Sequence, residues 1–182
     1  MHIRTITLSA IITMATSAAQ AEGWNLLPVT DAGFKAEPTL SLMGGMLNPD
    51  VNGADSDTAM GVELSFNCIA LQPPSGKIRT QISWTRYDDA GFEINSVEVN
   101  PHYLWRMSDK VEFGVGPGLG YVSGKAGAVD ENMLAMQFGT SLHYRSGNLF
   151  MGAEARYQLT EEEFGNTDLD NFRVMLKVGY NF

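Results

Sequence analysis

Apolar and polar residues alternate along this chain in one strand-length stretch after another, and that period constrains the fold more than any other feature. In TAMGVELSFNC, Met60, Val62, Leu64, Phe66 and Cys68 fall on one face, and Gly61, Glu63, Ser65 and Asn67 on the other. A period of two belongs to an extended strand, whose successive side chains point to opposite faces. One such strand would equally suit a half-buried sheet in a soluble protein. The alternation recurs, however, near 35–47, 58–69, 77–87, 92–106, 111–123, 132–145, 149–160 and 171–182. Most of these stretches approach the roughly 9–11 residues of a tilted membrane-crossing strand, against about 5–6 for a soluble one. Little chain is left for helices. The pattern predicts an all-β fold, a closed eight-stranded antiparallel transmembrane β-barrel.

The connections sort by length and charge. QPPSG, RMSDK and RSGN are short turns, rich in residues that turn the backbone cheaply. Between them fall NPDVNGADSD, YDDAG, SGKAGAVDEN and TEEEFGNTDLDN, all acidic and three of them longer. Short periplasmic turns and longer outer loops are the arrangement of outer-membrane barrels. Lys77, Arg106, Lys110 and Arg145 gather at the short-turn end, while Asp50, Asp55, Asp57, Asp88, Asp89, Asp130, Glu131 and Glu161–Glu163 gather at the other. Aromatic residues mark two levels on the apolar face. Phe66, Tyr103, Trp105, Phe113, Tyr144, Tyr180 and Phe182 lie toward the short turns; Trp84, Phe92, Tyr121, Tyr157 and Phe172 lie toward the loops. Two such girdles are expected where amphipathic rings settle at the two membrane–water interfaces.

The polar face carries Glu63, Lys77, Arg79, Glu98, His102, Glu112, His143, Glu154, Arg156, Arg173 and Lys177. A charge turned to lipid near the midplane costs about 2–4 kcal/mol, so this face must line the lumen. An eight-stranded lumen is only wide enough for its own side chains. Glu63, Arg79, Glu98, Glu112, His143, Glu154, Arg156, Arg173 and Lys177 are therefore expected to form an internal ion network. Setting Phe182 opposite Leu149 would place Lys177 opposite Glu154 and Arg156 opposite Met175. The tight DDAG turn would bring Arg79 opposite or diagonal to Glu98, and Glu112 would come near His143 across strands five and six. In FGVGPGLGY, Gly114, Gly116, Gly118 and Gly120 point inward, making room for Phe150, Arg156 and Met175. Pro101 and Pro117 fit a closed sheet poorly and would mark bulges on one seam.

The opening MHIRTITLSAIITMATSAAQAEG reads as a cleavable signal peptide over 1–21: Arg4, then an apolar core, then the A-x-A site Ala19–Ala21. A lead-in of 22–33 and a barrel of 34–182 follow. Removing residues 1–21 takes one of the 12 Lys and Arg and none of the 21 acids, leaving 11 − 21, or −10. So acidic a chain is no nucleic-acid binder. With Cys68 alone, no intrachain disulfide can form. No mature stretch offers the about 20 apolar residues of a spanning helix, so crossing must be by strands.

FGVGPGLGYVSG, LHYRSGNLFMGAEARYQL and NFRVMLKVGYNF resemble the fifth, the sixth to seventh and the closing strands of small eight-stranded outer-membrane barrels, the OmpA-like transmembrane and OmpX-like proteins of Gram-negative bacteria. The resemblance spans 34–182 and rests on residue class rather than invariant motifs. It implies a cell outer-membrane location and insertion by the outer-membrane assembly machinery, which reads an aromatic-ended last strand. Outer-membrane lipid and lipopolysaccharide are then the surrounding partners of a monomer without cofactor. Lys177 stands where that closing signal often has Gly. The leading functional expectation is a non-enzymatic barrel with a structural or surface-interaction role through acidic loops. DVNGADSD resembles part of a calcium loop but lacks its terminal Glu and spacing. The alternative is a path for small hydrophobic molecules, which predicts an apolar upper lumen. A lipid A deacylase, the third class, needs a lipid-facing Ser–His–acid set. Here Ser141 and His143 share the inward face and Ser146 lies in a turn, so no catalytic or metal-binding residue is assigned.

Overall fold

The computed structural model describes residues 23–50, 55–89, 91–127, 129–160, 163–164 and 167–182. The expected signal peptide lies outside them, as do parts of the DVNGADSD and TEEEFGNTDLDN stretches. Among the described residues eight long strands form a barrel: β1 (Thr39–Pro49), β2 (Asp57–Asn67), β3 (Lys77–Asp89), β4 (Phe92–Arg106), β5 (Val111–Ala126), β6 (Val129–Ser146), β7 (Leu149–Thr160) and β8 (Asn171–Asn181). Each pairs antiparallel with its sequence neighbours, and β8 pairs with β1 to close the barrel. Closure leaves no sheet edge, the condition for strands to survive in hydrocarbon.

The alternation reads directly into burial. Along β8, Arg173, Met175 and Lys177 are buried while Phe172, Val174, Leu176 and Val178 are exposed. Exposed aliphatics on every strand make an apolar belt that only lipid can solvate.

Connection lengths depart from expectation. SGKAGAVDEN is taken up mostly by strand, since β5 and β6 run 16 and 18 residues and pair to Ala126–Val129. That hairpin overshoots the membrane instead of ending in a long loop. The longest short-end connection, Cys68–Gly76, contains a strand of its own, Leu71–Gln72, which pairs with Asn25–Leu26 of the lead-in.

The bulges expected at the prolines are absent. β4 and β5 pair from Phe92↔Ala126 to Val99↔Leu119 and again from Tyr103↔Val115 to Arg106↔Glu112, in unchanged register. A bulge would have shifted that register by one. The ladder instead lapses over Asn100–His102 and Gly116–Gly118, where Pro101 and Pro117 face one another. Neither has an N–H to donate, so this rung cannot form its bonds.

Candidate functional site: a layered lumen

The inward side chains form three layers. In the central one, Glu154 of β7 lies directly opposite Met175 of β8, so Arg173 and Lys177 flank it diagonally. Lys177 Nζ is 2.6 Å from Glu154 Oε2 and also pairs with Glu63. Arg156 Nη2 donates to Glu154 Oε2 at 2.9 Å, and Arg173 Nε lies 3.8 Å from Oε1. Arg173 reaches across the lumen to Glu98 in a two-pronged pair, Nη1 donating to Oε1 at 2.5 Å and Nη2 to Oε2. Three carboxylates thus meet three cations, all essentially sealed from solvent. Equal numbers matter because an unmatched buried charge is far costlier than a matched one.

The register behind these contacts differs by two residues from expectation. Tyr180, not Phe182, faces Leu149; Lys177 faces Gly152; and Arg156 faces Arg173. Lys177 still reaches Glu154 because the diagonal neighbour lies within range of a long side chain. Glu98 and Glu154 offset the opposed arginines.

Toward the short turns, Glu112 Oε1 is 2.7 Å from Lys77 Nζ, with Arg145 Nε 3.4 Å from its Oε2. Arg79 does not meet Glu98: the pairing set by Asp89↔Phe92 puts Arg79 opposite His102 and Glu98 opposite Ser83. Its guanidinium instead donates to the Glu37 and Ser65 carbonyls, each at 2.9 Å, and to Asn67 Oδ1 at 3.1 Å. His143 does lie opposite Glu112, yet neither ring nitrogen has a hydrogen-bonding partner among the described residues. Its ring meets the Phe150 edge at 5.3 Å. His102 Nδ1 lies 2.9 Å from Ser141 Oγ.

Toward the loops the inward row turns apolar. Leu47, Tyr87, Ile94, Val122 and Met133 cluster there, continuous with Met43 and Met175 beside the ion layer, and Leu169 from the β7–β8 connection joins them. Sequence reasoning missed this layer, although alternation alone puts Ile94, Val122 and Met133 inward. Phe92, expected in a girdle, is on the inward row and meets Tyr87 edge-on at 6.3 Å. Nor do the β5 glycines make room for Phe150, Arg156 and Met175. Gly116 accommodates His102, Gly118 the Asn100 side chain, and Gly120 that of Gln137.

On the outside, Tyr103, Trp105 and Phe113 form a contiguous aromatic strip, with centroids 4.5 and 6.1 Å apart along it. Tyr180 and Phe182 meet edge-on at 5.1 Å. Tyr144 is half-buried on the same level, while Trp84, Tyr121 and Tyr157 are exposed toward the loops.

A side-chain-filled eight-stranded barrel with a continuous apolar girth and aromatic rims has the architecture of the outer-membrane barrel class. The fold is that of the small bacterial outer-membrane barrels. Neisserial surface protein A superposes with a TM-score of 0.61 at 15% identity, over 80% of this chain and 97% of that one. Ail, the attachment invasion locus protein of Yersinia pestis, gives 0.56 at 16%, over 82% and 100%. OprG of Pseudomonas aeruginosa gives 0.50 at 13%, over 82% and 98%. No protein-family model and no curated protein matches the chain.

Proposed function

We propose that this protein is a non-enzymatic outer-membrane barrel that acts through its acidic outer rim, in a structural and surface-interaction role. The observation that carries the reading is the closed lumen: the neutral ion layer and the apolar layer above it bury their side chains nearly completely. A filled lumen leaves the outer rim as the chemistry available to a partner. Asp50, Asp55, Asp57, Asp88, Asp89 and Asp130 lie there against few bases, of which Arg86 already pairs with Asp88 and Glu93. Ail has been crystallised with the heparin analogue sucrose octasulfate. A polyanion of that kind suits this rim poorly; a basic partner, or lipopolysaccharide phosphate bridged by divalent cations, suits it better. Planar-bilayer recording of the refolded protein should give no steady large conductance. A stable open channel would overturn the reading.

A second reading, passage of small hydrophobic molecules, has a specific observation in its favour. The apolar upper layer lies above a β4–β5 seam weakened by Pro101 and Pro117. Glu98 of the ion layer lies on the loop side of that seam, so the layer would have to open before a molecule could leave sideways. Apolar molecules co-purifying with the native protein, and lost on cross-linking β4 to β5, would favour this reading over the first.

A further inference from the structure

At the short-turn end the molecule keeps an apolar surface that barrel closure does not use. Leu26 and Leu27 are each 57% exposed, Val29 50% and Ile69 47%. A two-stranded sheet gathers them: Leu26 lies opposite Leu71, and Leu27 N donates to the Ala70 carbonyl at 2.9 Å. The neighbouring residue Gln72 points the other way and is committed to the barrel. Its Nε2 donates to the Cys68 and Ile78 carbonyls, and its Oε1 accepts from Ile78 N. The sheet therefore has a polar face bonded to the barrel and an apolar face turned outward.

Two further features bear on what covers that apolar face. Leu27 adopts a left-handed backbone with φ of 53°, which glycine or asparagine would hold at lower cost. The turn is held by Thr30, whose N and Oγ1 donate to the Leu27 carbonyl at 3.0 and 2.9 Å, and it fixes the leucine side chain on the exposed face. The second feature is depth. Tyr103, in the outward aromatic strip with Trp105, donates its hydroxyl to the Ser75 carbonyl at 2.6 Å. This bond ties the β2–β3 turn to the girdle, the level at which lipid headgroups lie. The outward row Val62, Leu64, Phe66 of β2 runs straight into the same turn.

We infer that residues 24–29 and the β2–β3 turn form an apolar foot resting in the headgroup–acyl boundary of the periplasmic leaflet, a second membrane contact continuous with the belt. Its partner is phospholipid. Apolar side chains held at headgroup level gain from burial at the headgroup–acyl boundary.

The test uses the barrel refolded into phosphatidylcholine–phosphatidylglycerol vesicles in a Cys68→Ala background. A nitroxide is placed in turn through Leu27→Cys, Val29→Cys, Leu176→Cys in the belt and Asp109→Cys in the β4–β5 turn. Power saturation then compares collision with oxygen and with a soluble nickel chelate. Heat-modifiable migration on gels confirms that each variant has folded. The expected oxygen-to-nickel ratio at positions 27 and 29 is several-fold above that at 109 and below that at 176. Ratios equal to that at 109, or a ratio that rises only when a second copy is cross-linked to the foot, would overturn the inference. The Leu176 label reports membrane insertion independently, so failure of the foot is distinguishable from failure of the barrel to insert.

Discussion

Replacing Glu154 by Gln removes the carboxylate that Lys177, Arg156 and Arg173 share. Lys177 keeps Glu63 and Arg173 keeps Glu98. Arg156 keeps only the side-chain oxygens of Gln81 at 3.0 Å and Gln137 at 3.4 Å, while still facing Arg173 across the strands. The layer goes from three acids and three bases to two and three. An uncompensated buried charge costs about 3–5 kcal/mol. With a urea dependence of roughly 2–3 kcal/mol per molar, the unfolding midpoint should fall by about 1–2.5 M.

The assay is urea unfolding in phospholipid vesicles, followed by tryptophan emission and by gel mobility without heating. Adding Arg156→Met to Glu154→Gln should restore most of the lost midpoint, because the double change removes one charge of each sign. The coupling should be at least about 2 kcal/mol, toward the upper end of the range for residues in one network. An unchanged midpoint for the single variant would refute the reasoning. So would a double variant that is simply the sum of its parts, since the layer would then not act as one electrostatic unit.

His143→Leu should leave stability unchanged or raise it by about 1 kcal/mol in the same unfolding assay, because a buried ring without hydrogen bonds is costly to keep. Gly116→Ala should prevent or strongly slow refolding, read by heat-modifiable mobility, since its Cβ would collide with the Pro101 carbonyl and the His102 backbone. Gly44→Ala, whose Cβ meets nothing nearby, should refold normally and serves as the control. Deleting Phe182, exposed at the end of β8, should lower the amount assembled in cells, measured by outer-membrane fractionation, with refolding into vesicles largely intact.

The fold was legible because solvent is inverted: lipid outside and a charged lumen inside make every strand alternate over a length no soluble strand needs. The ion layer was legible as a set for the same reason. Its pairings were not, because alternation is blind to a slip of two residues, which keeps every side chain on its own face. Hence alternation suits Phe182 opposite Leu149 as well as Tyr180 there, and Arg79 level with Glu98 as well as with His102. Leu169 gave no periodic signal, coming from a connection, and it closes the upper layer by a contact distant in sequence from most of its partners. The Asn25–Leu26 pairing with Leu71–Gln72 rests on two residues per strand, too short for any period to register.

That blindness gives the charged layer a task that belt and girdles cannot perform. With Lys177 directly opposite Glu154, the diagonal neighbours of Glu154 on β8 would be Met175 and Gly179. Arg173 would move beyond Glu154, to face Gln158. In the observed register Met175 takes the central position, and the two cations of β8 flank the carboxylate from both sides. Arg173 is then placed to meet Glu98 of β4 across the lumen, and Lys177 to meet Glu63 of β2. The last two contacts join strands that are not sheet neighbours, and with Glu154 of the adjacent β7 they test β8 against three other strands at once. Buried ion pairs add little net stability over apolar filling. Their value in this barrel lies in discriminating among even-numbered registers that hydrocarbon on the outside treats as equal.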